Sequence, residues 1–213
     1  METAQQHNTS SWQHGDSPMV LSEIFSPSTS VAVWHRPEMT RVSRYFEQAF
    51  QALGLGIRGV YSMESLKETL HEALPDEDGK QDAIEDIHLL SDMLTCLFNC
   101  NTVGLRLAPL SSAMCPSFHV DNIQIRLVHT YLGAGTEWLP KEVLFEDTSS
   151  HNGLNKTKSG LLYNKQHIQQ MRAYDVGLLK GKAWQDHEEM AAVHRSCQVQ
   201  PGEKRVLLTL DPM

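Results

Sequence analysis

The sequence predicts an α+β fold in which a β-barrel or jelly roll is covered on one side by helices. Two observations predict it. Apolar residues recur at helical spacing through the first hundred positions, and from residue 101 they give way to short β-rich runs separated by turns. The chain accordingly divides into an arm (1–18), a helical support layer (19–100) and a β-rich core (101–213).

The arm is polar, rich in Ser, Gln and His, and shows no periodicity, so it reads as disordered or loosely docked. Val31–Trp34 then reads as a short strand. Pro37 sits where a first-turn proline belongs, and Val42, Tyr45, Phe46, Ala49, Phe50 and Leu53 share one face of a helix over 38–53. A second amphipathic helix runs over 62–74, with Ser62 and Ser65 competing as its cap. A third covers about 81–99 with Ile84, Ile87, Leu90, Leu94 and Leu97 as its core stripe. His88 lies close to that stripe and reads as structural.

Strands are expected over 102–107, 115–121, 123–131, 136–139, 142–145, 173–179, 190–194 and 204–210. The polar stretch 147–170 is too long for a plain turn and is the candidate lid. Gly133–Trp138 lacks the Lys-Ser/Thr pair of a phosphate loop and reads as a hairpin turn that brings Thr136 and Trp138 near a site mouth.

Composition narrows the function. The chain has 213 residues, 40% of them hydrophobic, enough for one domain with a real core. A net charge of −8 gives no footprint for non-specific nucleic-acid or anionic-membrane binding, though a local basic groove stays open. No run approaches the ~20 apolar residues of a membrane span, and the first residues do not form a secretory signal. The four cysteines show no paired framework, which suits a reduced, cytoplasmic protein. Cys96 and Cys100 have the spacing of one helix face and read as small buried hydrophobes, not as zinc ligands.

The chemistry is concentrated in Cys115-Pro-Ser-Phe-His119-Val-Asp121. On a strand, residues i and i+2 point to one face, so His119 and Asp121 can converge on one ion. A second imidazole would complete a two-His-one-carboxylate facial triad, which leaves coordination positions open. His194, on a strand near the C-terminus, is the candidate. His187 competes but lies in the acidic turn Gln185-Asp-His-Glu-Glu-Met190. Arg205 opens a final strand, where its guanidinium could pair with a distal carboxylate. Arg195 and Lys204 are its rivals, and Arg195 would face away from His194. Tyr131 and Arg126 share a strand with different parity, so only one can point inward. Tyr131 is the candidate second contact for a bound carboxylate, or else a core tyrosine.

The order His-x-Asp, long insert, Gly177-Leu-Leu, His194 and Gly202-x-x-Arg205 resembles the iron(II) and 2-oxoglutarate dependent dioxygenase superfamily over roughly 100–213. The whole chain also resembles a bacterial family of unknown function through Phe118-His-Val-Asp-Asn122, Arg126–Pro140, Leu178–Trp184 and Val193-His-Arg-Ser196. The first resemblance implies a double-stranded β-helix, iron(II) on His119, Asp121 and His194 as the catalytic metal site, and 2-oxoglutarate on Arg205, with Tyr131 beside it. It implies hydroxylation or demethylation of a small molecule or protein side chain. The alternative is a non-catalytic, cupin-like zinc module, linked to zinc homeostasis, which would need the triad but not Arg205. Substrate and oligomeric state are open.

Overall fold

The computed structural model describes residues 10–146 and 154–213. In chain order its strands are β1 (Trp12–Gly15), β2 (Val31–Trp34), β3 (Ile57–Ser62), β4 (Thr102–Leu110), β5 (Ile125–Leu132), β6 (Glu137–Leu139), β7 (Asn155–Lys156), β8 (Leu162–Tyr163), β9 (Gln169–Gln170), β10 (Val176–Lys180), β11 (Val193–Arg195) and β12 (Arg205–Pro212). Its helices are α1 (Thr40–Ala49), α2 (Met63–Ala73) and α3 (Lys80–Phe98). The protein is a mixed α+β molecule built on a seven-stranded sheet of order β1-β2-β10-β5-β12-β4-β3. A three-stranded sheet, β11-β6-β9, and the β7–β8 pair accompany it. No helix among the described residues is long and apolar enough to cross a membrane.

Strand parity sorts the large sheet into two faces. Val103, Leu105 and Leu107 of β4, Ile125, Leu127 and Tyr131 of β5, and Val206, Leu208 and Leu210 of β12 join one core with the helices. From α1 that core takes Val42, Tyr45, Phe46 and Ala49, the face expected from the spacing, and from α3 it takes Ile84, Ile87, Leu90 and Leu94. Each large apolar side chain buried there contributes about 1.5–3 kcal/mol. The opposite face carries Val31, Val33, Val128 and Leu179, which pack on Trp138, Met171 and Ala192 from the region of the small sheet. The two sheets thus form a sandwich, with the helices outside the larger one.

Several expectations need correction. Helix α1 begins at Thr40, so Pro37 lies in the approach and not in the first turn. Ser62 wins the capping of α2 by accepting from Ser65 N at 3.3 Å. Part of the expected arm is ordered: residues 12–15 pair in parallel with β2, a backbone ladder that needs no apolar pattern. Residues 1–9 of the arm lie outside the described residues. The segment before residue 100 is more than a helical layer, because β2 and β3 extend the large sheet. Cys96 is exposed and Cys100 follows the left-handed Asn99 that ends α3, so the two thiols do not share a buried helix face. The candidate lid is largely structured where described: Leu162 and Tyr163 of β8 are buried, and β9 joins the small sheet. Residues 147–153 of it lie outside the described residues.

Candidate metal and anion site

His119 reaches the small sheet through a single antiparallel bridge to His194, with His119 N donating to His194 O at 3.0 Å and His194 N returning to His119 O at 2.9 Å. The pairing brings the two imidazoles to a centroid separation of 4.6 Å. Phe118 anchors the segment on the far side by packing with Leu139, Tyr163 and Val193. Each imidazole is oriented by a backbone carbonyl: Nδ1 of His119 lies 2.9 Å from Ser117 O, and Nδ1 of His194 lies 3.0 Å from Ala192 O. A carbonyl only accepts, so Nδ1 carries the proton in both rings and both Nε2 lone pairs are free. Both point to Asp121: His119 Nε2 is 3.6 Å from Oδ1, and His194 Nε2 is 3.6 Å from Oδ2.

One ligand atom from each of His119, Asp121 and His194 lies within 4.8 Å of the others. Two neutral imidazole nitrogens and a carboxylate, with carbonyls fixing the rings from behind, make a donor set and outer support that suit a divalent first-row metal. The electrostatics agree. Burial alone would raise the Asp121 carboxyl, but His119, the charge of His194 and Arg126 outweigh it and hold it at about 2. The Asp121 carboxylate raises His119, whereas burial lowers His194 and keeps its nitrogen available.

The triad lines a cavity of about 390 Å³ between the sheets. Arg126 enters it from β5, with Nη1 donating to Asp121 Oδ2 at 2.6 Å while Nε and Nη2 donate to Asp211 at 2.8 and 2.7 Å. Arg205 enters from β12 and is 1% exposed. Its Nε donates to Ala134 O at 2.7 Å, its Nη1 to Ser196 Oγ at 2.8 Å, and its Nη2 to Thr136 Oγ1 and Thr130 Oγ1 at 3.3 and 3.4 Å. Among the described residues no carboxylate lies within ion-pair distance of it, and burial pushes its pKa below the ordinary arginine value. The Gly133–Gly135 turn makes the close approach possible. A Cβ on Gly133 (φ +83) would lie 2.6 Å from Lys204 O, and one on Gly135 would lie 2.3 Å from Met171 O.

The rivals are engaged by other partners, Arg195 at the wall of the same cavity. His187 pairs with Glu189, Arg195 donates to Glu137 at 2.5 Å, and Lys204 donates to Glu47 O. Tyr131 is a correction. It lies on the helix-facing side of β5, and its hydroxyl donates to Asp86 of α3 at 2.9 Å, away from the cavity. Arg126, of opposite parity on the same strand, is the residue of the two that faces the site. Thr130 and Ser196 were missed, although Thr130 has Arg126's parity and Ser196 directly follows the His194 strand.

Comparison with known families decides membership. The family model described as "Protein of unknown function (DUF1826)" matches residues 15–211. The chain belongs to that family. No curated protein matches this DUF1826 member. Among solved structures it is similar to the dioxygenase for auxin oxidation 1 from Arabidopsis thaliana in complex with 2-oxoglutarate, with a TM-score of 0.55, 10% identity, and 95% of this chain and 91% of that chain covered. It is also similar to a Pseudomonas putida prolyl-4-hydroxylase, with a TM-score of 0.46, 9% identity, and 91% and 92% covered. A third is HygX from Streptomyces hygroscopicus with nickel and 2-oxoglutarate bound, with a TM-score of 0.45, 12% identity, and 91% and 85% covered. The likeness to the Arabidopsis protein shows a shared fold for the DUF1826 chain.

Proposed function

We propose that the protein is a non-haem iron(II), 2-oxoglutarate-dependent oxygenase that hydroxylates or demethylates a small molecule or side chain. Its core, residues 101–213, is read as a double-stranded β-helix that the segment 19–100 covers and widens. The observation that carries this reading is Arg205. A buried guanidinium without a carboxylate is costly to keep, and here it shares a cavity with a two-His-one-carboxylate cluster. A dicarboxylate that chelates the metal at one end and meets Arg205 at the other compensates both features. A zinc-holding module needs the triad alone and leaves Arg205 without a purpose.

His119 Nε2, His194 Nε2 and an Asp121 oxygen would hold the metal, and Arg205 with the Ser196, Thr136 and Thr130 hydroxyls would hold the distal carboxylate. Bound there, iron(II) and 2-oxoglutarate supply activation of dioxygen coupled to decarboxylation, with succinate as coproduct. The chain's own part is positional. The Ser117 and Ala192 carbonyls fix the two imidazole tautomers, and Arg126 steers the Asp121 carboxylate. Val128 and Leu207 supply apolar wall between the polar groups.

The test is anaerobic titration of iron(II) into metal-free protein with and without 2-oxoglutarate, following the visible charge-transfer band of the chelate. A band that needs both components, and is lost in His194→Ala and weakened at least tenfold in apparent affinity in Arg205→Ala, is the expected result. Tight zinc binding by the same residues with no band under any condition overturns the proposal.

A further inference from the structure

The cavity holds more positive charge than the reaction above uses. Arg58, Arg106, Arg126, Arg195 and Arg205 line it, against Asp121 and Asp211. Arg126 is engaged by both aspartates, Arg195 by Glu137, and Arg205 by hydroxyls and a carbonyl. Arg58 and Arg106 have neither an ion pair nor a side-chain hydrogen bond among the described residues. They are also direct cross-strand partners in the β3–β4 ladder.

Two like charges directly opposite on one face of a sheet repel and destabilise the pair. The chain carries 26 acidic residues and a net charge of −8, so this local excess of cations runs against its composition. On the other side Arg106 is opposite Thr209, and Thr209 also lines the cavity, so a row of two guanidiniums and a hydroxyl crosses three adjacent strands. Beside that row Val60 is opposite Gly104, where Asp211 and Met213 pack against the backbone. Arg58 is exposed and Arg106 half-buried, so the row descends from the open edge of the sheet into the cavity that the triad lines.

We propose that Arg58 and Arg106 form an anion subsite for the second substrate, which is a small organic molecule bearing a carboxylate or phosphate. This rests on the oxygenase reading for the word substrate, but the subsite itself needs no metal. Guanidinium pairs match the planar, bidentate geometry of such oxyanions, and an anion between them turns their mutual repulsion into two attractions. Repulsion kept at a site and relieved by its ligand is the expected trade of stability for function. The phosphate and carboxylate cases share this chemistry and separate by experiment.

The test is calorimetric titration of benzoate, phenyl phosphate and neutral benzamide into the full chain, both metal-free and loaded anaerobically with iron(II) and 2-oxoglutarate. At least one anion is expected to bind ten times or more tightly than benzamide, and the tighter of the two identifies the headgroup. The Arg58→Gln/Arg106→Gln variant is expected to lose that preference while its thermal midpoint holds or rises. Arg58→Gln alone, at an exposed edge position, is expected to lose part of it and guards against misfolding of the double variant. Equal binding of benzamide, no anion binding, or a preference that survives the double change overturns the subsite. So does anion binding abolished only by Arg205→Met. Anion selectivity without the chelate band would sink the oxygenase reading alone, and the band without selectivity would sink this inference alone.

Discussion

Tyr131 and Arg126 stand on one strand and differ in parity, which gives them opposite surroundings. Arg126 meets Asp121 and Asp211 in the cavity, whereas Tyr131 stacks on Phe46 and donates to Asp86, which also receives Arg36 at 2.5 Å. Removing that hydroxyl takes one hydrogen bond from a buried carboxylate that keeps its salt bridge. Tyr131→Phe should therefore destabilise by about 1.5–3 kcal/mol in urea unfolding, with 2-oxoglutarate affinity unchanged. A tenfold loss of that affinity at normal stability would return Tyr131 to the cosubstrate site. Chain order made His119, Asp121, His194 and Arg205 legible as a set, although the expected strand 115–121 is reduced to a single bridge at His119. Parity says which residues share a face, but not which face the helices cover, and Tyr131 was misplaced for that reason. Asp86 gave no signal, since a carboxylate on a helix normally reads as solvated and only tertiary structure brings Arg36 and Tyr131 to it.

The elements that were legible are those whose burial imposes a period. Helices α1 and α3 bury stripes at helical spacing, and β4, β5 and β12 turn alternate apolar residues into the helix-covered core. Strand β3 lies at the sheet edge, with Arg58 and Val60 exposed on one side, and so lacks an apolar alternation to read. Missing β3 also hid the Arg58–Arg106 pair, which exists only through its register with β4. Strand β5 carries one more consequence of its helix-covered face. His129 lies there 1% exposed, with Nδ1 donating to Asp175 O at 3.1 Å and no partner for Nε2 among the described residues. Burial, above all, pushes its pKa down from 6.5 to about 4. The unfolded chain therefore takes up this proton first as pH falls. The stability it affects is fully present above pH 6.5, is lost as pH falls from 6.5 towards 4, and changes no further below that. The loss is roughly 3 kcal/mol. Metal-free His129→Asn, whose amide can replace the Nδ1 donor, should show a correspondingly shallower fall in urea midpoint over that window. An unchanged slope would mean that His129 is not the buried neutral base.

The molecule as a whole is acidic and two-layered, and its cavity draws on both layers. The metal-type donors come from the small sheet and the segment bridged to it, while Arg205 and Arg126 project from the large one. A metal on the triad joins His119 and Asp121 to β11, and a dicarboxylate that reaches Arg205 joins that assembly to β12. The two ligands should therefore stabilise in sequence and not independently. At a hundred times its dissociation constant each contributes about 2.7 kcal/mol, which for a chain of this size is about 5–10 °C in thermal midpoint. Iron(II) under anaerobic conditions, or zinc, should give the first increment, and a chelator should remove it. His119→Ala and His194→Ala should each abolish it. 2-Oxoglutarate should give the second increment in full only when metal is present, because without metal it keeps the Arg205 contact and loses the chelate. Arg205→Met should retain the metal increment and lose the second one. If 2-oxoglutarate shifts Arg205→Met as far as the unaltered protein, the distal carboxylate is held by another cation. Arg126 is then excluded only if its pairing with Asp121 and Asp211 also survives. An increment of equal size with and without metal would instead mean that the dicarboxylate never reaches the triad, and the two halves of the cavity would be separate sites.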